Sequence, residues 1–140
     1  MICRRVQNKF HSSLINMIKG IGTDIIEVER VASKIEKENG FRELVFSSAE
    51  IKYCEAKTNK YEHYAARFAA KEALGKAFGA GWMSGTKINE AEIINDESGK
   101  PFFNFLGETA KQIASLNIAA IHVSLSHIKT FATAVVIIEV

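Results

Sequence analysis

Proline occurs once in these 140 residues, tryptophan once and cysteine twice. With 47% hydrophobic residues beside it, a single proline describes a foldable globular chain and excludes a disordered one. Cys3 and Cys54 make no metal or redox spacing, so the plain reading is a reduced, cytosolic chain in which Cys54 is a partly buried thiol. No apolar run approaches the roughly 18–20 residues that span a membrane. The net charge of +2 is too small to argue for nucleic acid. There is no internal repeat and no low-complexity segment, and the length is that of one domain.

Charge is unevenly placed. Residues 1–16 hold Arg4, Arg5 and Lys9 and no acid, a net +3, so the rest sums to about −1. Any basic patch on the folded part is therefore local. Residues 1–16 lack the apolar stretch of a secretory signal, and Met17 directly precedes the first strand pattern. The expectation is a dispensable basic tail or an upstream start, with a transit peptide or a functional arm as alternatives, followed by one domain over 17–140.

Residues 17–26 read as a glycine-interrupted strand with Asp24 near its end. In 27–38, Val28, Val31, Ala32 and Ile35 recur at helical spacing, and Asn39-Gly40 stops that helix. Residues 41–46 form a short helix or loop. Ser47 and Glu50 make a capping box for a helix reaching about Ala56. Residues 61–78 form a long alanine-rich helix that ends in Gly79-Ala80-Gly81. From Trp82 strands take over: 87–95 alternates weakly, 96–99 turns, and 100–103 begins the return strand. A short amphipathic helix follows over 108–116, then a hairpin of 118–126 and 131–140. Helices and strands do not alternate as βαβ units, so the expected class is α+β with a largely antiparallel sheet packed against a long helix. The apolar ending VVIIEV suggests a core completed against other copies of the chain.

Several residues admit both a structural and a chemical reading. Asp24 is the N-cap of the next helix or a metal ligand at a glycine-lined strand end. Glu72 and Lys76 lie one turn apart on the same helix face, as an exposed ion pair or as one wall of a site. Ala65, Ala66, Ala69, Ala70, Ala73 and Ala77 let another backbone or a ligand come close, and Arg67 and Lys71 add positive charge. Gly75, Gly79 and Gly81 follow a helix where a phosphate loop would open one, so a helix terminus is the plainer reading. His122, Ser124, Ser126 and His127 lie near one another without a GxSxG elbow. On a strand the two histidines point to opposite faces, with His127 the better placed for a ligand. Asp24 and Glu72 lack the aromatic platform of a glycosidase pair. With cations nearby, two carboxylates fit Mg²⁺ holding a phosphate better.

Taken in order, GIGTDIIEVERV (20–31), RFAAKEALGKAFGAG (67–81), SGKPFF (98–103) and HVSLSH (122–127) resemble the short-type 4′-phosphopantetheinyl transferases, the holo-[acyl-carrier-protein] synthase family. The resemblance spans 17–140 and implies that family's fold. It implies transfer of the phosphopantetheine arm of coenzyme A to a serine of apo acyl carrier protein, with Mg²⁺ required and adenosine 3′,5′-bisphosphate released. It implies a homotrimer with active sites across subunit boundaries. Asp24 and Glu72 match the metal-binding acids and Lys76 the lysine near the pyrophosphate. Arg67, Gly79, Lys100, Pro101, Ser126 and His127 fall at coenzyme-binding positions. Arg30 matches a basic position facing the carrier protein, with Phe41 and Phe68 as apolar neighbours. One departure is that Glu36, Glu38 and Glu43 leave the segment around 34–42 less basic than in many members, which bears on carrier-protein choice. The nucleophile belongs to the partner, so no triad is needed, and Glu72 or a water it polarises serves as general base. A Mg²⁺-dependent phosphohydrolase and a non-catalytic coenzyme A or carrier-protein binding module remain the other classes. The first would release nucleotide without modifying a carrier protein, and the second would bind without turnover.

Overall fold

The alanines of the long helix meet the chain's own sheet. In the computed structural model, which describes residues 15–79 and 85–140, helix α4 runs Lys60–Phe78. Ala66, Ala69, Ala70, Ala73 and Ala77 form a buried stripe along it. Strands β1 (Ile18–Glu27), β4 (Ala120–His127) and β5 (Phe131–Glu139) form an antiparallel sheet in the order β1-β5-β4 against this stripe. Strand β5 alternates as a half-buried strand should: Ala132, Ala134, Val136 and Ile138 are buried, while Phe131 and Val135 are exposed. Met17 and Val140 exchange backbone hydrogen bonds of 2.9 Å and extend the β1–β5 pairing.

Two glycines set how closely the sheet sits. A Cβ on Gly20 or Gly22 would overlap the carbonyl oxygen of Ala77 or of Ala73, and one on Gly22 would also lie 2.7 Å from the amide nitrogen of Ala77. The alanines and glycines are thus two halves of one backbone-to-backbone contact, which carries Asp24 against the helix two residues later. Gly22→Ala is expected to push β1 off α4 and to lower stability by about 3 kcal/mol or more, since overpacking against backbone has no side chain to yield. Urea denaturation of the variant measures it.

The remaining elements cover the other flank of α4. Helix α1 (Val28–Glu36) buries Val28, Val31, Ala32 and Ile35. It begins with Glu27 at the N-cap and no side-chain cap, so Asp24 lies inside the strand, paired with Ala134, and is not a helix cap. Gly40, at φ 90°, turns the chain into the short helix α2 (Phe41–Val45). The capping box forms as predicted: Ser47 Oγ accepts from the Glu50 amide and Glu50 Oε2 from the Ser47 amide at the start of α3 (Ser48–Glu55). Strands β2 (Ala91–Asn95) and β3 (Pro101–Phe105) make a separate hairpin, and α5 (Gly107–Ala114) follows. A 3₁₀ turn, Ile88–Glu90, takes the first part of the predicted 87–95 strand. Ala80, Gly81 and Trp82, and the tail through residue 14, lie outside the described residues.

Glu50 does more than cap. Its Oε2 also accepts from Lys71 Nζ at 2.8 Å and its Oε1 from the Ile93 amide at 2.9 Å. Lys71 spends its other two protons on the carbonyls of Val45 and Ile88. The charge expected at Lys71 for a ligand is therefore consumed inside the fold. Burial pushes this ammonium below its ordinary value, with Glu50 opposing that shift. Cys54 is fully buried, beyond the partial burial predicted, and desolvation pushes its thiol up to about 12, which leaves it inert.

Candidate active site

Strand β1 descends along α4 with Gly20 on Ala77 and Gly22 on Ala73, so Asp24 arrives over the middle of the helix. There Lys76 Nζ donates to Asp24 Oδ1 at 3.0 Å and to the Thr23 carbonyl at 3.0 Å. The Asp24 side chain is 16% exposed and that of Lys76 55%. The i,i+4 pair of Glu72 with Lys76 does not form. Glu72 is exposed and makes no hydrogen bond or ion pair among the described residues. The cluster thus offers one carboxylate already against a cation, one unengaged carboxylate and an ammonium. No third His, Cys, Asp or Glu joins a metal-holding group among the described residues. That donor set fits a hard cation such as Mg²⁺, which takes one or two protein carboxylates and completes its shell with water and phosphate oxygens.

A second cluster occupies the N-terminal half of α4. Arg67 is 2% exposed, lies 4.1 Å above the Tyr53 ring and donates from Nη2 to Asn95 Oδ1 at 2.8 Å. Its Nε is buried and has no hydrogen-bond partner among the described residues. An unpaired donor on a buried cation is costly, so the position suits an incoming anion. Asn95 pairs with Pro101 across the hairpin, and the turn is held by Asp96, whose Oδ1 accepts from the amides of Ser98 and Lys100. This places Arg67, Lys100 and Pro101 together. His63 stands edge-on to Tyr53 and packs 5.0 Å from His127, whose Nδ1 is 3.0 Å from Glu62 Oε1. Burial, then His127, Arg67 and Lys57, push the His63 imidazole below its ordinary value.

Not every predicted residue joins these clusters. Ser126 alternates with His127 and faces outward with His122 and Ser124, so within one chain it lies on the other face of the sheet. Gly79, at φ 89°, ends α4, and no atom of the described residues stands within 4 Å of a Cβ placed there. Phe41 and Phe68 meet at 6.2 Å between ring centroids, and Lys34 Nζ lies 5.4 Å and 6.0 Å from the two rings. Arg30, one turn before Lys34 on α1, is exposed. Arg42 is bound by Glu43 and Glu55, which removes its charge from this surface. Beside it a cavity of about 390 Å³ is lined with Glu36, Glu38, Glu43 and Glu55.

Sequence reasoning missed Tyr53, Glu62, His63 and Asn95. His63 precedes Arg67 by one turn on the same flank, a signal open to the sequence. Tyr53 and Asn95 reach the site only through tertiary contacts.

Residues 20–136 match the family model of the 4′-phosphopantetheinyl transferase superfamily. A holo-[acyl-carrier-protein] synthase of Cytophaga hutchinsonii is 49% identical over 127 residues, covering 86% of this chain and 97% of the relative. Among solved structures, the holo-(acyl-carrier-protein) synthase of Bacillus anthracis in complex with CoA (3′,5′-ADP) superposes with a TM-score of 0.71 at 35% identity, over 88% of this chain and 97% of that one. The synthase of Neisseria meningitidis reaches 0.81 at 30% identity, over 89% and 100%. The α+β fold, the ordered motifs and these likenesses agree: the chain belongs to the 4′-phosphopantetheinyl transferase superfamily and, within it, to the holo-[acyl-carrier-protein] synthases.

Proposed function

We propose that this enzyme transfers the 4′-phosphopantetheine group of coenzyme A to a serine of apo acyl carrier protein and releases adenosine 3′,5′-bisphosphate. The observation that carries the reading is the Asp24–Lys76 pair, with the exposed carboxylate of Glu72 one helical turn before Lys76 on α4. The serine hydroxyl attacks the phosphorus that bears the pantetheine arm, and the bond to the nucleotide's phosphate breaks. Glu72 is the carboxylate available to accept the serine proton, directly or through a water. Lys76, 55% exposed, turns its ammonium to the pyrophosphate as negative charge builds on the leaving phosphate. Asp24 and Glu72 would hold Mg²⁺, which when bound supplies charge neutralisation at the pyrophosphate. Arg67, Lys100, Pro101 and His127 would hold the nucleotide end of coenzyme A, with Gly79 leaving room beside them. Arg30, with Phe41 and Phe68 near it, would meet the carrier protein, and local basic charge would steer an acidic partner.

The two clusters sit on different sides of α4. Arg67 and Glu72 are five residues apart, about 140° around a helix axis, so one extended coenzyme does not reach both sides of the same helix easily. A homotrimer whose sites join the acid cluster of one subunit to the basic cluster of the next resolves this. The outward sheet face supports that assembly: Ile21 and Ile25 are 66% and 68% exposed, with Phe131 and Val135 beside them and Ser126 on the same face. Ile25→Lys is expected to convert the trimer to monomers with loss of transfer, read by light scattering. A variant that scatters as the wild type does and stays active would remove this interface.

The function is tested by mixing the chain, coenzyme A, Mg²⁺ and apo acyl carrier protein and weighing the carrier protein. A gain of one phosphopantetheine is expected. Nucleotide release without that gain identifies a hydrolase, and no change identifies a binding module.

A further inference from the structure

Glu62 lies in the first turn of α4 and has no place in the chemistry above. Its carboxylate meets His127 Nδ1 at 3.0 Å, with the two side chains 18% and 27% exposed. A carboxylate only accepts, so Nδ1 carries the hydrogen and Nε2 is the nitrogen left for anything outside. His63 packs against the ring at 64° between planes and limits its rotation. The ring is thus fixed at one nitrogen and along one side. We propose that Glu62 is a positioning residue for coenzyme binding: it holds His127 at Nδ1 so that Nε2 faces a phosphate of the coenzyme.

The proposal rests on the reading that His127 lies at the coenzyme site. The chemistry requires a charged partner. With Nδ1–H committed to Glu62, Nε2 donates to a phosphate only when the ring is an imidazolium. Such a ring sits between two anions, one of the protein and one of the ligand. Among the described residues, His63 and Arg67 on α4, Tyr53 of α3 and Lys57 after it surround the ring, and Lys60 and Lys129 line the cavity beside Glu62. Glu62 is the anion that offsets the cations among them. Its own carboxyl is held below the usual range, first by the hydrogen bond to His127. The Glu62 amide donates to the Asn59 carbonyl at 3.1 Å, which fixes the backbone that carries the carboxylate.

Glu62→Gln tests this, because the amide keeps the size and can still bond Nδ1 while the charge is lost. Steady-state transfer by the full-length chain is followed against coenzyme A concentration. The KM for coenzyme A should rise about tenfold at about pH 8, while kcat at saturation falls less than twofold. Nitrogen-15 NMR of the coenzyme-bound protein should show the hydrogen held on His127 Nδ1 in the wild type and shared between the two tautomers in the variant, whose amide can donate as well as accept. A role confined to the helix N-terminus would lower the melting temperature and leave both KM and the His127 nitrogen-15 signature in place. Unchanged KM and NMR signature in Glu62→Gln would overturn the proposal, as would a His127→Ala variant with wild-type KM. A wild-type chain that binds coenzyme A without transferring anything would fail the functional reading instead; the dissociation constant of coenzyme A then takes the place of KM in the same comparison.

Discussion

Lys71→Met is expected to lower stability by about 3–5 kcal/mol, a large share of the roughly 5–15 kcal/mol that holds a domain of this size. The Lys71 side chain is 1% exposed and that of Glu50 0%, and they meet at 2.8 Å. The methionine fills the space but leaves the Glu50 charge buried with only the Ser47 and Ile93 amides to face it. The carbonyls of Val45 and Ile88 lose their donor as well. These bonds tie α4 to α2, to the 3₁₀ turn and to β2, so the damage spreads across the flank that carries Arg67. Urea denaturation measures the loss. Adding Glu50→Gln should recover part of it by removing the stranded charge. Lys76→Met, five residues along the same helix and 55% exposed, is the control, expected to move stability by less than about 1 kcal/mol. Equal effects of the two lysine substitutions would refute the buried-pair account.

Glu72→Gln has the largest expected effect on chemistry. On the proposed reading, in which Glu72 helps hold Mg²⁺ and accepts the serine proton, the loss should lower kcat/KM by about 10³-fold or more. Glu72 is exposed and unpartnered among the described residues, so the fold should be unchanged, within about 0.5 kcal/mol. The measurement is the rate of carrier-protein mass gain, with a thermal melt alongside. Near wild-type transfer by Glu72→Gln would sink both roles. Asp24→Ala is the companion: the N-cap of α1 is Glu27, so the loss of Asp24 removes the partner of Lys76 and the second carboxylate of the proposed metal pair without unpicking a helix start.

These two residues, adjacent in sequence, show how far a reading of residues reaches. Their types and the surrounding spacing mark a site, yet one charge faces outward and the other is sealed in. At 100° per residue a helix separates neighbours, and which side becomes interior depends on what packs there. The partner of Lys71 is 21 residues upstream on α3, and no local pattern announces that contact. Lys76 makes the same point in the other direction. Spacing paired it with Glu72, while the structure gives it to Asp24, 52 residues away, because Gly20 and Gly22 let the strand lie on the helix backbone.

The sequence by itself determined the elements and the class: the capping box at Ser47, the alanine-rich helix, the 96–99 turn, the terminal hairpin and the motif order of a phosphopantetheinyl transferase all follow from local chemistry and period. Only the tertiary structure decided which charges are free. It buried Lys71 against Glu50, turned Lys76 to Asp24, left Glu72 unpaired, set Arg67 beneath Tyr53 with an unpartnered Nε, and joined Glu62 to His127. The physical reason is range. Turns, caps and periodicity act within about one or two helical turns along the chain, whereas the state of a charge depends on burial and on partners that the chain brings from far away.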